Sequence, residues 1–110
     1  MKKEFLEKAV NLFSEANSAM ISAIEECAKE LTDNGNKVIL FKNSIDGVYS
    51  DPIVQLDYIK KEDCIYAVTE QEDYISLDDL SGNELFEICN HLMAGNTFIE
   101  IADNENHINF

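Results

Sequence analysis

The sequence predicts an α+β domain in which a long N-terminal helix and a shorter capped helix pack on a four- to five-stranded, mainly antiparallel sheet. Residues 4–31 carry apolar side chains at helical spacing, and residues 37–77 contain short β-branched and aromatic runs separated by turn residues. The connections between these runs are of hairpin length, which excludes parallel crossovers and predicts a meander. With 110 residues, of which 45% are apolar, we expect residues 1–110 to form a single acidic domain.

The long helix is predicted from Glu4 to Leu31, a segment without Pro or Gly. Its apolar side consists of two rows at heptad-like spacing, Leu6, Phe13, Met20 and Cys27 in one and Val10, Asn17, Ile24 and Leu31 in the other. A helix of this length spans about 42 Å, whereas a compact body of this size is roughly 34 Å across. The helix must therefore bend, project or pair with a second copy, unless it covers one sheet face and frays at its N-terminus.

Pairing would use the apolar side of this helix as a dimer seam. A polar residue at one seam position can fix the register of two helices, so we expect Asn17 to face its counterpart in such a homodimer. The candidate seam residues are Leu6, Val10, Phe13, Asn17, Met20 and Ile24.

Four strands are predicted between the helices. The first is Lys37–Phe41, and Asp46-Gly47, between Ile45 and Val48, is typical of a two-residue hairpin turn. The other three strands are Ile53–Ile59, Cys64–Thr69 and Asp73–Leu77.

The second helix has a strong start signal. Ser81-Gly82-Asn83-Glu84 matches a capping box, so we predict a helix from Gly82 to about Met93, ended by Gly95. Thr97–Ala102 is predicted to be a strand that adds to a sheet edge. Residues 103–106 are predicted to form a turn, and residues 107–110 either a short return strand or a loose tail.

The chain is strongly and unevenly acidic. It contains 22 acidic residues, eight lysines and no arginine, for a net charge of −14, and such a field disfavours direct binding to nucleic acid or anionic membranes. Residues 1–42 hold six lysines and seven acids, whereas residues 43–110 hold two lysines and fifteen acids. These acids either only keep the protein soluble or meet a protein partner with a basic surface. The candidate interaction surface consists of the nine acids after Lys61 that have no evident structural reason: Glu62, Asp63, Glu70, Glu72, Asp73, Glu87, Glu100, Asp103 and Glu105.

The sequence carries no motif for catalysis, a cofactor or a metal ion. Cys27, Cys64 and Cys89 lie far apart along the sequence, so no disulfide framework is predicted. Cys89 and His91 would point in nearly opposite directions from a helix, so no metal site is predicted. We therefore predict no catalytic residue and no cofactor, and expect that the protein is not an enzyme. Free thiols, no apolar run of membrane-spanning length and no apolar signal core lead us to expect a soluble, cytoplasmic protein.

These observations favour a non-enzymatic protein that acts by protein–protein interaction or regulation. A sharper hypothesis is a small DNA-mimicking inhibitor, of the phage or mobile-element type, that occupies the basic groove of a nucleic-acid-binding protein such as a nuclease or repressor. Acids two apart on a strand lie about 6.8 Å apart, a spacing of the same order as that of neighbouring phosphates. The acid pairs with suitable separations are Glu70 with Glu72, Asp103 with Glu105, and Glu84 with Glu87 on a helix. The sequence is also compatible with a helix-mediated dimeric structural module and, less readily, with an enzyme that has an acidic pocket.

Overall fold

The computed structural model describes residues 3–47 and 51–102 and confirms the α+β fold. The elements follow the predicted order, with a single 3₁₀ turn before the second helix among the described residues. They are α1 (Lys3–Leu31), β1 (Lys37–Ile45), β2 (Ile53–Ile59), β3 (Cys64–Thr69), β4 (Tyr74–Ser76), the 3₁₀ turn (Leu77–Asp79), α2 (Gly82–Ala94) and β5 (Thr97–Ile101).

The five strands form one antiparallel sheet in the order β4-β3-β2-β1-β5. The first four strands make the predicted meander, and β5 returns after α2 to pair with β1, as a strand that adds to the sheet edge should. Ile39, Leu56 and Ala67 lie side by side across the sheet and are completely buried in one core with both helices. One sheet face therefore carries both α1 and α2.

The connection between β1 and β2 differs from the prediction. Ile45 pairs with Ile53, so the predicted two-residue turn at Asp46-Gly47, which would have paired Ile45 with Val48, is wrong. Proline has no backbone N–H and cannot donate to a sheet, which explains why pairing in β2 starts after Pro52. Val48 lies outside the described residues, as do the predicted turn at 103–106 and the segment 107–110.

Local chemistry sets the end of α1 and the start of α2. Asn34 and Gly35 after α1 have φ values of 59° and 106°, in the left-handed region that closes a helix. At the start of α2, the Ser81 side chain accepts a hydrogen bond from the Glu84 backbone N–H, and the Glu84 carboxylate accepts one from the Ser81 N–H. The predicted capping box is confirmed. It accounts for the burial of Glu84, which is 2% exposed.

The long helix is too long for the body that it covers. Its 29 residues span about 43 Å, and the molecule measures 56 × 28 × 24 Å. Only Ile24 and Ala28 of α1 are fully buried, and both belong to its C-terminal half. The N-terminal part of α1 therefore projects from the body.

Candidate interaction surfaces

The N-terminal half of α1, residues 3–16, is exposed at every position, and we call it the projecting half. It nevertheless carries large apolar side chains, each more than half exposed: Phe5 (74%), Leu6 (67%), Val10 (65%), Leu12 (55%) and Phe13 (62%). Isolated exposed apolar residues are normal on a soluble protein, but contiguous groups of them mark binding surfaces. The projecting half is therefore the first candidate surface.

The predicted dimer seam is divided by the structure into two parts with different surroundings. Leu6, Val10 and Phe13 lie on the projecting half and are exposed. Ile24 is 1% exposed in the core of its own chain, and Met20 packs against that core. The prediction is therefore wrong for Met20 and Ile24, because the sheet and α2 of the same chain already cover these two side chains.

Asn17 lies where the projecting half meets α2. Its Oδ1 atom is buried and has no hydrogen-bond partner among the described residues. A Cβ atom built on Gly82 would lie 3.0 Å from this oxygen and 2.9 Å from Cζ of Phe13, so the missing side chain of Gly82 is what lets α2 come close. Asn17 therefore faces α2 of its own chain, and the expectation that it faces a counterpart in a second copy is wrong.

An apolar groove of about 250 Å³ lies between α1 and α2. We call it the α1–α2 groove; it is lined by Ala23, Ile24, Cys27, Cys89, Leu92 and Met93. Burial raises the pKa of both thiols, with Glu30 adding to the effect at Cys27 and the neighbouring Cys27 adding to it at Cys89. Phe86 and Met93 share the groove side of α2 with Cys89 and are 55% and 78% exposed. The groove thus opens beside further uncovered apolar surface.

The acidic residues predicted to form one interaction surface do not form a single cluster. Glu62 and Asp63 occupy the turn before β3, and Glu70, Glu72 and Asp73 the turn after it. The six residues of β3 separate these turns by about 20 Å. The exposed carboxylates of Glu87 and Glu100 lie on α2 and β5, and Asp103 and Glu105 lie outside the described residues.

Two of the three acid pairs proposed to imitate phosphates are also arranged differently from the prediction. Glu70 and Glu72 belong to a turn, in which Glu72 has a φ of 67°, so they do not stand at strand spacing. Glu84 is buried in the capping box and cannot pair with Glu87 at the surface. The third pair, Asp103 with Glu105, is not among the described residues.

Two acids that seemed to lack a structural reason have one. Asp63 accepts a hydrogen bond from the Tyr58 hydroxyl at 2.7 Å and forms an ion pair with Lys29 at 3.0 Å. These two contacts lower the pKa of Asp63. Glu62 accepts a hydrogen bond from the Tyr66 hydroxyl at 2.8 Å, which raises the pKa of Tyr66 to about 12. This turn therefore helps to hold α1 on the sheet.

A buried carboxylate on the sheet was not singled out by the sequence. Asp57 in β2 is 0% exposed and accepts hydrogen bonds from Gln55 Nε2 and from the Tyr74 hydroxyl, the latter at 2.9 Å. The Tyr74 ring meets Tyr66 edge to face, with centroids 6.0 Å apart. Burial is the main cause that raises the pKa of Tyr74, and the nearby Asp57 carboxylate raises it further. An acid at an alternate, non-core position of a strand was the available signal, but only the neighbouring strands bring the tyrosines to it.

The described part of the chain does not bring a set of metal ligands together. Within residues 3–47 and 51–102, no three His, Cys, Asp or Glu side chains are placed to hold a metal ion. His91 Nδ1 donates a hydrogen bond to the Glu87 backbone oxygen at 2.8 Å, and its ring contacts Phe41 edge to face. Neither described helix combines the length and the apolar character needed to cross a bilayer.

No protein family model matches the chain, and neither a curated protein nor a solved structure proved significantly similar to it.

Proposed function

We propose that this protein is a non-enzymatic interaction protein that works through the projecting half of α1 and assembles with a second copy of itself. The observation that carries the proposal is the set of five large apolar side chains between Phe5 and Phe13, each more than half exposed. A helix that buried only what its own fold needs would be polar at these positions.

The apolar area available on the projecting half is large enough to drive association. With about 150–200 Å² for each fully exposed side chain, the five exposed fractions correspond to on the order of 550 Å². This lies near the upper end of the apolar patches that monomeric proteins expose, which are about 300–600 Å². Burying it is worth on the order of 10 kcal/mol per copy, against an association cost of about 4–15 kcal/mol for the pair.

Charge also favours the projecting half over the acidic turns as a contact between copies. Residues 3–16 hold Lys3 and Lys8 against Glu4, Glu7 and Glu15, a net charge of −1, although the chain as a whole carries −14. The acidic turns flank β3 in the body and separate their carboxylates into two groups. Two copies that meet at the projecting half should therefore repel each other less than two copies that meet at the acidic turns.

Sedimentation velocity as a function of concentration tests the proposal. The variant Leu6→Glu/Val10→Glu places two charges in the apolar side and should weaken the dimer at least about 100-fold, since each buried aliphatic side chain is worth about 1.5–3 kcal/mol. Its matched control, Ser18→Glu/Ser22→Glu, adds the same charge at two exposed positions on the side of the same helix away from its apolar side chains, and it should change the affinity little. A monomeric wild-type protein at high concentration, or equal effects of the two variants, would contradict the proposal.

Salt dependence separates this function from one that depends on the acidic residues. An apolar contact between two molecules of −14 charge should stay equally strong or tighten between about 50 and 500 mM salt, because salt screens the repulsion between the copies. Recognition of a basic partner by the acidic residues would weaken steeply over the same range. A dimer that dissociates as salt rises would point back to the acidic residues.

A further inference from the structure

A row of small and apolar side chains runs along the side of α1 that borders the α1–α2 groove, from one end of the helix to the other. Phe5, Leu12, Ala16, Ala23 and Cys27 follow one another at intervals of seven and four residues, which places them in one row. Ala23 and Cys27 line the groove at one end of this row, and Phe5 is 74% exposed at the other. The same row therefore ends in an uncovered aromatic side chain and in an apolar groove.

The two ends of the row lie at equal distances from its centre. Phe5 precedes Ala16 by eleven residues and Cys27 follows it by eleven, which is about 16 Å along the helix in each direction. Two antiparallel copies crossing at Ala16 would thus bring each Phe5 to the level of the other copy's Cys27. Ala9 and Ala23 would then lie opposite each other, and such small side chains allow helix axes to approach to about 8 Å.

We propose that two copies of the chain form an antiparallel, two-fold symmetric dimer in which Phe5 of each copy occupies the α1–α2 groove of the other, with Ala16 near the axis. The inference rests on the proposed function and adds to it the site that receives the projecting half. A two-fold interface uses the same surface on both copies, so it must contain both the inserted group and its receptor. The row on α1 contains both.

The size of the groove and the area of the helical face fit this occupant. An apolar cavity of about 150 Å³ holds a benzene ring, and the α1–α2 groove has about 250 Å³. When Phe86 and Met93 beside the groove are added to the projecting half, the exposed apolar side chains amount to on the order of 800 Å² per copy. Stable complexes bury about 800 Å² on each partner. The exposed apolar area of these seven side chains is therefore of the size that a stable dimer interface needs.

The first experiment measures the dimer affinity of the full chain with and without the inserted ring. Phe5→Ala should weaken dimerisation at least about 10-fold, because a buried phenylalanine is worth about 1.5–3 kcal/mol. The matched control is Phe98→Ala, which removes a 45% exposed phenylalanine from β5, away from both helices. This control should leave the affinity within about threefold of the wild type.

The second experiment uses the two thiols in the groove as reporters. In the variant Phe5→Cys, oxidised glutathione should give a covalent dimer whose disulfide joins position 5 of one copy to Cys27 or Cys89 of the other. Because burial raises the pKa of both groove thiols, the reaction is run at about pH 8.5, where more of each thiol is ionised. The variant Phe98→Cys, treated identically, should give no such link, and peptide mapping identifies the joined positions.

The outcomes separate the inference from the function on which it rests. Loss of affinity in Phe5→Ala together with the mapped link supports the inference. A wild-type dimer whose affinity is unchanged by Phe5→Ala, or whose Phe5→Cys variant links only position 5 to position 5, overturns the groove arrangement and leaves the proposed function standing. A wild-type protein that stays monomeric, or a dimer that salt dissociates, overturns both.

Discussion

The two halves of α1 carry the same apolar pattern and have opposite surroundings. Leu6 and Val10 precede Ile24 and Ala28 by about five helical turns and lie on the same side of the helix. Ile24 and Ala28 are 1% and 0% exposed, whereas Leu6 and Val10 are 67% and 65% exposed. Helical periodicity therefore specifies which side of α1 is apolar, but not which element covers that side.

The boundary between the two halves is set by α2. The first residue of α2, Gly82, contacts Phe13 and Asn17 of α1. From there α2 packs beside α1 as far as the groove that Cys27 lines. Residues before Phe13 extend beyond the start of α2. These residues are still part of the continuous helix, but no other described element packs against them and buries their side chains.

The largest expected effect contrasts one apolar residue from each half. Ile24→Ala should lower the free energy of unfolding by about 2–4 kcal/mol, because it leaves a cavity in a fully packed core. Leu6→Ala should change it by less than about 0.5 kcal/mol, because this side chain is exposed in the monomer. The measurement is urea denaturation at about 1 µM protein, where mass action disfavours association.

Raising the protein concentration sharpens the same comparison. If Leu6 is buried only in the dimer, Leu6→Ala should begin to destabilise the protein at about 100 µM, while the effect of Ile24→Ala should persist at both concentrations. A large, concentration-independent loss for Leu6→Ala would show that the projecting half is covered within the monomer.

A smaller effect is expected at the boundary itself. Asn17→Ala should raise the free energy of unfolding by about 1–2 kcal/mol, because it removes a buried acceptor that lacks a partner among the described residues and improves helix propensity. Asn11→Ala, on the exposed side of the same helix, should gain only the propensity difference of about 0.5 kcal/mol. Chemical denaturation compares the two, and equal gains would contradict the burial of the Asn17 amide.

The smallest expected effect concerns the ion pairs of the two halves. Lys29 in the C-terminal half reaches Asp63 in the body, whereas Lys3 in the projecting half pairs with Glu7 of its own helix, at 3.8 Å. At about pH 7, Asp63→Asn should therefore lower the melting temperature slightly more than Glu7→Gln does.

The pH dependence follows from the sign of the shift. The hydrogen bond from Tyr58 and the nearby Lys29 lower the pKa of Asp63 in the folded state. Its contribution is therefore fully present above the ordinary carboxyl pKa of about 4 and is lost as pH falls through the lowered value. Thermal unfolding at about pH 7 and pH 2.5 should show the difference between wild type and Asp63→Asn shrinking in acid. A difference that grows in acid would contradict the assignment.

Local sequence signals predicted most of the fold. The capping box at Ser81 and the left-handed residues after α1 depend on residues close to one another, so the sequence suffices to find them. The turn after β1 was mispredicted because Asp46-Gly47 is a strong local signal, while the missing N–H of Pro52 is what delays the return strand.

The candidate surfaces were harder to predict because they depend on contacts between distant residues. Counting charges grouped nine acids into one surface, but β3 separates two groups of them and Lys29 and Tyr58 engage Asp63. Heptad spacing grouped six residues of α1 into one seam, but the body buries Ile24 and packs against Met20. In both cases the pattern is present in the sequence, but whether its residues form one exposed surface depends on which other elements pack beside them.

The amino-acid sequence was enough to predict the helices, most of the strand segments, the cap of α2, the apolar side of α1 and the net charge of −14, because these follow from side-chain chemistry and short-range spacing. The extent of the core along α1, the position of the groove and the set of engaged acids depend on how the elements pack in three dimensions. The physical reason is that burial is a property of pairs of elements. The position of α2 against Phe13 and Asn17 leaves one half of an evenly patterned helix covered by its own chain and the other half exposed.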